Sequence, residues 1–229
     1  MKIIEVKNLI KNYRVGEIII PAIRGVDFSV DKGEFVAIMG KSGSGKSTLL
    51  YQMSLLDKPT SGEILVEGID ILKMTEKEKT KYKLSTLGYI FQDYALLPEL
   101  TAIENVLIPL MMLGLSMKEC LRKSEEALER VGLGKRLNNL PSQLSGGEQQ
   151  RVGIARAIAH NPKIIFADEP TASLDSEASK TVMDIFLDLN KQGETIVMVT
   201  HEMEYGELAG RLVTLEDGRV SGACCSISA

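Results

Sequence analysis

Residues 34–50 set a glycine loop between a strand and a helix, and this arrangement restricts the fold more tightly than any other stretch of the chain. Glu34-Phe35-Val36-Ala37-Ile38-Met39 is a short apolar run of β-forming residues. Gly40-Lys41-Ser42-Gly43-Ser44-Gly45-Lys46-Ser47 follows in the pattern G-x-x-x-x-G-K-S, and Thr48-Leu49-Leu50 can continue as a helix. A strand that feeds a helix through such a loop belongs in a mainly parallel α/β sheet. The glycines let the backbone curl until its N–H groups point at phosphate oxygens. Lys46 brings a cation to the β- and γ-phosphates, and the Ser47 hydroxyl suits Mg²⁺. Gly40, Lys41, Ser42, Gly43, Ser44, Gly45, Lys46, Ser47 and Thr48 are the expected nucleotide cradle, with the Lys41 side chain solvated.

The rest of the chain supports that class. Ile3–Val6, Val26–Val30 and Gly62–Val66 read as further strands. Thr75-x-x-Glu78 and Ser116-x-x-Glu119 have the form of capping boxes that start helices. After the second, Met117, Leu121, Ser124, Leu128 and Val131 fall on one expected buried face, and Gly132 can end the helix. Residues 93–160 carry helical signals and few strand runs, as expected of a helical insertion. Buried-strand patterns resume at Ile164–Ala167 and Thr195–Thr200, around a helix at 176–191. Asp217-Gly218 between apolar runs signals a hairpin turn. The division expected is an α/β core of 1–92 and 162–229 around a helical part at 93–161.

A second glycine loop, Leu144-Ser145-Gly146-Gly147-Glu148-Gln149-Gln150-Arg151, opens onto a helix. Helix N-termini carry unpaired N–H groups and partial positive charge, which suit a phosphate. Ile164-Ile165-Phe166-Ala167-Asp168-Glu169 is a buried strand that ends in two acids, a repulsive and poorly solvated arrangement unless a cation lies near. Asp168 is expected to hold Mg²⁺ through water, and Glu169 to orient the attacking water or take its proton. Gln92, after Gly88-Tyr89-Ile90-Phe91, is expected to reach metal and water and to couple nucleotide state to lobe movement. His201, after the strand at 195–200, is placed to bond the γ-phosphate. Asp175 is read as a helix N-cap or a dimer-seam residue, two compatible roles. His160, near a helix end, is read as a favourable charge–dipole placement.

Composition narrows the partners. The 229 residues carry a net charge of −4 without basic clusters, against a nucleic-acid-binding role. Cys120, Cys224 and Cys225 lack metal-ligand spacing and read as free thiols in a reducing compartment, the last two in a frayed tail. The N-terminus shows no apolar signal core. The longest apolar stretch, Val106–Leu115, is broken by Pro109 and Gly114 and is about half of the ~20 residues a bilayer needs. A cytoplasmic protein that meets a membrane only through a partner is expected.

Tyr13, Gly40–Ser47, Gln92, Leu144–Glu148, Asp168-Glu169, Asp175 and His201 occur in this order over nearly the whole chain, which resembles an ABC-transporter ATP-binding subunit. Phe91-Gln92-Asp93-Tyr94-Ala95-Leu96-Leu97-Pro98 and Asp57-Lys58-Pro59-Thr60-Ser61-Gly62 look most like the lipoprotein-release, macrolide-export and cell-division group. The resemblance implies a P-loop NTPase, RecA-like core with an inserted helical subdomain and a small N-terminal antiparallel β part. It implies a head-to-tail dimer with ATP and Mg²⁺ held between one copy's phosphate loop and the other's Ser145, Gly146, Gly147 and Glu148. It also implies an integral membrane permease as partner. Tyr13 matches the aromatic platform under the base, where stacking contributes roughly 1–3 kcal/mol; otherwise it is a core or surface tyrosine. Leu107–Leu115 with Met111-Met112 lines a groove for the permease or forms the lobe's own core. Ala178-Ser179-Lys180, where close relatives often carry Thr-Gly, and Tyr51-Gln52-Met53 depart from the group's pattern. The rival functions are force transmission in cell division and a soluble ABC ATPase, though the chain lacks the second domain or coiled coil that soluble members carry.

Overall fold

A computed structural model describes residues 1–225, with side chains through residue 222. The described residues form two compact units, residues 1–79 with 190–225 and residues 80–189. The strands at 87–90 and 164–168 fall in the second unit together with the helical segment.

The first unit begins with β1 (Lys2–Val15) and β2 (Ile18–Asp31), a long antiparallel hairpin that turns at Gly16-Glu17. Only short pieces of it, 3–6 and 26–30, are legible in the sequence. The reason is register: bulges between Val6 and Leu9 and again between Lys11 and Asn12 interrupt the alternation that marks a strand. After β3 (Phe35–Met39) and α1 (Lys46–Met53), β4 (Ser61–Val66) pairs with the other edge of β1, and β5 (Ile69–Asp70) with β4. The result is the expected N-terminal antiparallel sheet. Thr75 and Glu78 form the anticipated capping box at α2 (Glu76–Thr86), which carries the chain into the second unit.

In the second unit β6 (Leu87–Ile90) and β7 (Ile164–Asp168) run parallel, with Ile90 opposite Ala167. Between them lie α3 (Ala102–Met112), α4 (Met117–Arg130) and α5 (Gly146–Ile158), which pack on one another. α6 (Ser176–Lys191) then returns the chain to the first unit. There β8 (Thr195–Val199), the short α7 (Met203–Gly206), β9 (Arg211–Glu216) and β10 (Arg219–Cys225) complete the sheet order β10-β9-β3-β8. β3 is parallel to both neighbours, and every residue of β3 and β8 is buried, the pattern of a strand covered on both faces.

Three expectations change. On α4 the buried face is Cys120, Ser124, Ala127 and Leu128, whereas Met117 and Leu121 are exposed. The Ser116–Glu119 capping box starts the helix as anticipated, and Gly132, at φ 74°, follows its end. The covered face therefore runs the length of α4 but is rotated by about one residue from the one expected, through Cys120 rather than Leu121. On α3 the stretch divides: Val106, Leu107 and Leu110 are core, but Met111 and Met112 are 49% and 63% exposed. Finally, the Cys224-Cys225 backbone is not frayed but pairs with β9 opposite Leu212 and Arg211; their thiols lie outside the described side chains. Asp217 (φ 45°) and Gly218 (φ 74°) make the anticipated turn, with both central residues left-handed. Among the described residues no helix is long and apolar enough to cross a membrane.

Candidate functional site: two glycine loops and two parallel strand ends

The phosphate loop leaves the C-terminal end of β3. Gly40 (φ 156°), Gly43 (φ 79°) and Gly45 (φ 101°) take conformations that favour glycine. Space imposes the same requirement at Gly45, where an added β-carbon would lie 2.6 Å from the Ala22 carbonyl. Gly45 is also the N-cap of α1, in the left-handed conformation, with no side-chain cap and no acid in the first turn. A helix start with a glycine N-cap and no acid in its first turn suits an anion. Lys46 is 5% exposed, and its Nζ donates to the carbonyls of Gly40 (2.9 Å) and Lys41 (3.2 Å), so the cation lies folded across the loop. The Lys41 side chain is exposed as expected, and the Ser44 hydroxyl is buried without a partner among the described residues. A cavity of about 320 Å³ is lined by Lys41, Ser42, Gly43 and Ser44 and by the β9–β10 turn. Ser47 and Thr48, in the first turn of α1, are half-buried. His201 follows the neighbouring strand β8, is exposed, and lies at the same sheet end because Val199 is opposite Ile38.

Tyr13 lies on β1, 38% exposed. Its hydroxyl is 3.1 Å from Asp57 Oδ2, and Lys11 Nζ sits 4.8 Å from its ring centroid. Burial pushes the Asp57 carboxyl up, but hydrogen bonds from Lys11, the Lys58 amide and Tyr13 outweigh it, so the acid lies below its ordinary pKa. The ring is thus held from its edge by an ionised acid and carries a cation over its face.

In the second unit Gln92 follows β6 and Asp168-Glu169 ends β7, so these residues share one end of a parallel pair. Gln92 is exposed. Asp168 is 5% exposed, with the Tyr89 hydroxyl 3.5 Å from Oδ2, a setting that suits a carboxylate facing a cation. Glu169 has φ 43°, a left-handed backbone that costs a non-glycine residue about 1–3 kcal/mol and tends to occur at functional positions. Asp175 caps α6: its Oδ1 accepts the Ala178 N–H at 2.8 Å.

The loop at 144–148 has a different construction. Ser145 is the N-cap of α5 and accepts the Glu148 N–H, while Glu148 reaches back to the Ser145 N–H at 2.9 Å. The octet is thus also a capping box, the pattern found at Thr75, Thr101 and Ser116 as well, which its sequence spelled but its glycines obscured. The Ser145 N–H holds the Glu148 carboxyl below its usual range against a smaller effect of burial, and Arg136, 3.0 Å away, adds to this. Neither Gly146 nor Gly147 is left-handed. Their requirement is steric: a β-carbon at Gly147 would lie 2.6 Å from the Ala178 Cβ, and one at Gly146 2.9 Å from the Tyr94 hydroxyl.

His160 departs from expectation. Burial draws its pKa down, despite the hydrogen-bonding contact between Nε2 and the Leu87 carbonyl at 3.1 Å. A ring kept neutral gains nothing from the helix dipole, so its role is to fasten the end of α5 to β6. Sequence reasoning also passed over Arg136, Tyr94, Gln150 and Arg156, whose partners are remote in the chain.

Comparison with known proteins agrees with this geometry. The ABC transporter family model matches residues 23–172. The lipoprotein-releasing system ATP-binding protein LolD of Aquifex aeolicus is 49% identical over 217 residues, 95% of this chain and 94% of that protein. The macrolide export ATP-binding/permease protein MacB of Syntrophobacter fumaroxidans is 44% identical over 95% of this chain but only 31% of its own length. The dimeric, post-hydrolysis ATP-binding cassette MJ0796 bound to ADP and Pi superimposes with a TM-score of 0.91 at 41% identity, covering 99% of this chain and all of that one. The chain belongs to the ABC transporter family, as an ATP-binding ATPase cassette of the LolD and MacB type.

Proposed function

We propose that this cassette is the engine of a membrane exporter or extractor, and that it works as a head-to-tail dimer of two identical copies closing on two ATP molecules. Tyr13 stacks on the base. Gly40–Thr48 hold the phosphates through backbone N–H groups, and Lys46 leaves the loop carbonyls to neutralise the β- and γ-phosphates. Ser47, Asp168 and Gln92 would hold Mg²⁺, Asp168 through water, and the ion would offset the phosphate charge. Glu169 orients the attacking water and takes its proton, and His201 bonds the γ-phosphate. Ser145, Gly146, Gly147 and Glu148 face the nucleotide of the second copy, and Asp175 lies at the seam. Closure and reopening move an integral membrane permease, which keeps the cassette peripheral on the inner face of the cell membrane. The exposed Met111 and Met112 of α3 are the first candidates for the permease contact.

The observation that carries this reading is the uncapped, acid-free start of α1 beneath three glycines, in a chain 49% identical to a lipoprotein-release cassette over nearly its full length. Light scattering of Glu169→Gln tests it. Loss of the catalytic base should lower hydrolysis by roughly 10²–10⁴-fold and leave an ATP-stabilised dimer in solution. A monomer at saturating ATP and Mg²⁺ would refute the shared-site reading. Capture of a tagged Glu169→Gln from detergent-solubilised membranes tests the permease: recovery of no membrane protein would refute that part.

A further inference from the structure

Helix α5 begins at the Ser145 loop, and two of its side chains grip the backbone on both sides of Gln92. Gln150 is fully buried. Its Nε2 donates to the carbonyl of Pro170, one residue beyond Glu169, at 2.9 Å, and lies 3.4 Å from the carbonyl of Phe91, one residue before Gln92. Two turns along, Arg156 Nη1 donates to the Ala95 carbonyl at 2.5 Å and Nη2 to the Tyr94 carbonyl at 2.9 Å. The guanidinium is buried deeply enough for desolvation to draw its pKa down, and neither acceptor is a carboxylate.

A half-buried cation served only by carbonyls gives up part of its hydration without an opposite charge in return, which is a poor exchange for stability alone. What Arg156 holds is itself strained: Tyr94 (φ 63°) and Ala95 (φ 48°) form a left-handed bend in two consecutive non-glycine residues. That bend aims the Tyr94 ring back at the start of α5, with its hydroxyl beside Gly146 and 3.5 Å from the Ser173 carbonyl.

We propose that Gln150 and Arg156 are positioning residues that make α5 a rigid link between the Ser145 loop and the Gln92 loop, so that movement of either displaces the other. Gln150 extends the link to the backbone behind Glu169. This rests on the reading above that Ser145 and Gln92 face nucleotide.

Hydrogen exchange on the full chain tests it, with Arg156→Met, Arg156→Lys and Gln150→Met. Without nucleotide, Arg156→Met should speed exchange of the 91–96 amides by about tenfold while leaving the phosphate loop unchanged. Arg156→Lys, which still serves one carbonyl, should fall between. With ATP and Mg²⁺, ATP affinity should stay within about twofold, kcat should fall about tenfold, and protection gained at 145–150 should no longer extend to 91–96. If Arg156→Met does not fold, the other two variants carry the same test. Unchanged exchange at 91–96 in every soluble variant, or an equal rise throughout α3, α4 and α5, would overturn the link. If the parent protein gains no protection from ATP at either loop, the proposed function fails, and the nucleotide-free exchange still decides whether α5 holds the bend.

Discussion

The two glycine loops share a spelling and little else. At Gly40–Ser47 the glycines answer to backbone conformation and to neighbouring carbonyls, and α1 starts without a side-chain cap. At Ser145–Glu148 the glycines are ordinary helical residues squeezed by Tyr94 and Ala178, and α5 starts with its own capping box closed. A helix start left open needs an outside ligand for its N–H groups; one already capped is a preformed surface that can meet a ligand held elsewhere. That contrast assigns gripping to the first loop and docking to the second.

The largest effect should come from Gly45→Ala. A left-handed φ of 101° and the nearby Ala22 carbonyl leave the new methyl no relaxed position, so ATP affinity should drop by about a hundredfold in a direct binding titration. Binding within a few-fold of the parent would mean that the loop rebuilds freely.

Gly147→Ala should behave differently. Overpacking against Ala178 should cost about 1–3 kcal/mol in denaturant unfolding, with ATP affinity kept. Adding Ala178→Gly should restore part of that loss despite the ~1 kcal/mol that glycine costs inside a helix. Rescue of Gly147→Ala, with no rescue available for Gly45→Ala, would confirm one requirement as steric and the other as conformational. A double variant no more stable than Gly147→Ala would break the distinction.

The phosphate loop was legible because its signal is local: a run of glycines, a lysine and a serine between strand and helix is complete within eight residues. The Asp168-Glu169 strand end was legible for the same reason. The grip of α5 was not. Gln150 lies 59 positions from Phe91, and Arg156 lies 61 and 62 from Ala95 and Tyr94, so neither partner leaves a mark near the other. The β1–β2 hairpin was read in fragments because its bulges break the period of two. His160 was misread because burial, which no local pattern reports, overrode the dipole that a helix end advertises.

Smaller effects sharpen the same comparison. Ser145→Ala should cost about 1 kcal/mol of stability, as should Thr101→Ala, which removes the same box from α3 at a site with no proposed ligand. Only Ser145→Ala should also slow hydrolysis; equal loss of turnover in both would reduce Ser145 to a cap. Acid gives the smallest effect. The Glu148 carboxyl titrates lower in the folded chain than in the unfolded one, so its contribution is complete above the ordinary glutamate pKa of about 4.3 and fades as pH falls through the lowered value. The stability gap between parent and Glu148→Gln should narrow across that acid window, because the Ser145 N–H that holds the carboxylate low is a backbone group; a gap that widens there would contradict the capping role.

The most direct measurement is the ATP affinity of Ser145→Arg, taken together with its mass by light scattering at saturating ATP and Mg²⁺, in a chain that also carries Glu169→Gln. If the open loop grips and the capped loop docks, affinity should stay within a few-fold of the parent while the ATP-dependent dimer disappears. Loss of ATP binding by the single chain would place Ser145 in that chain's own pocket and contradict the division between the two loops.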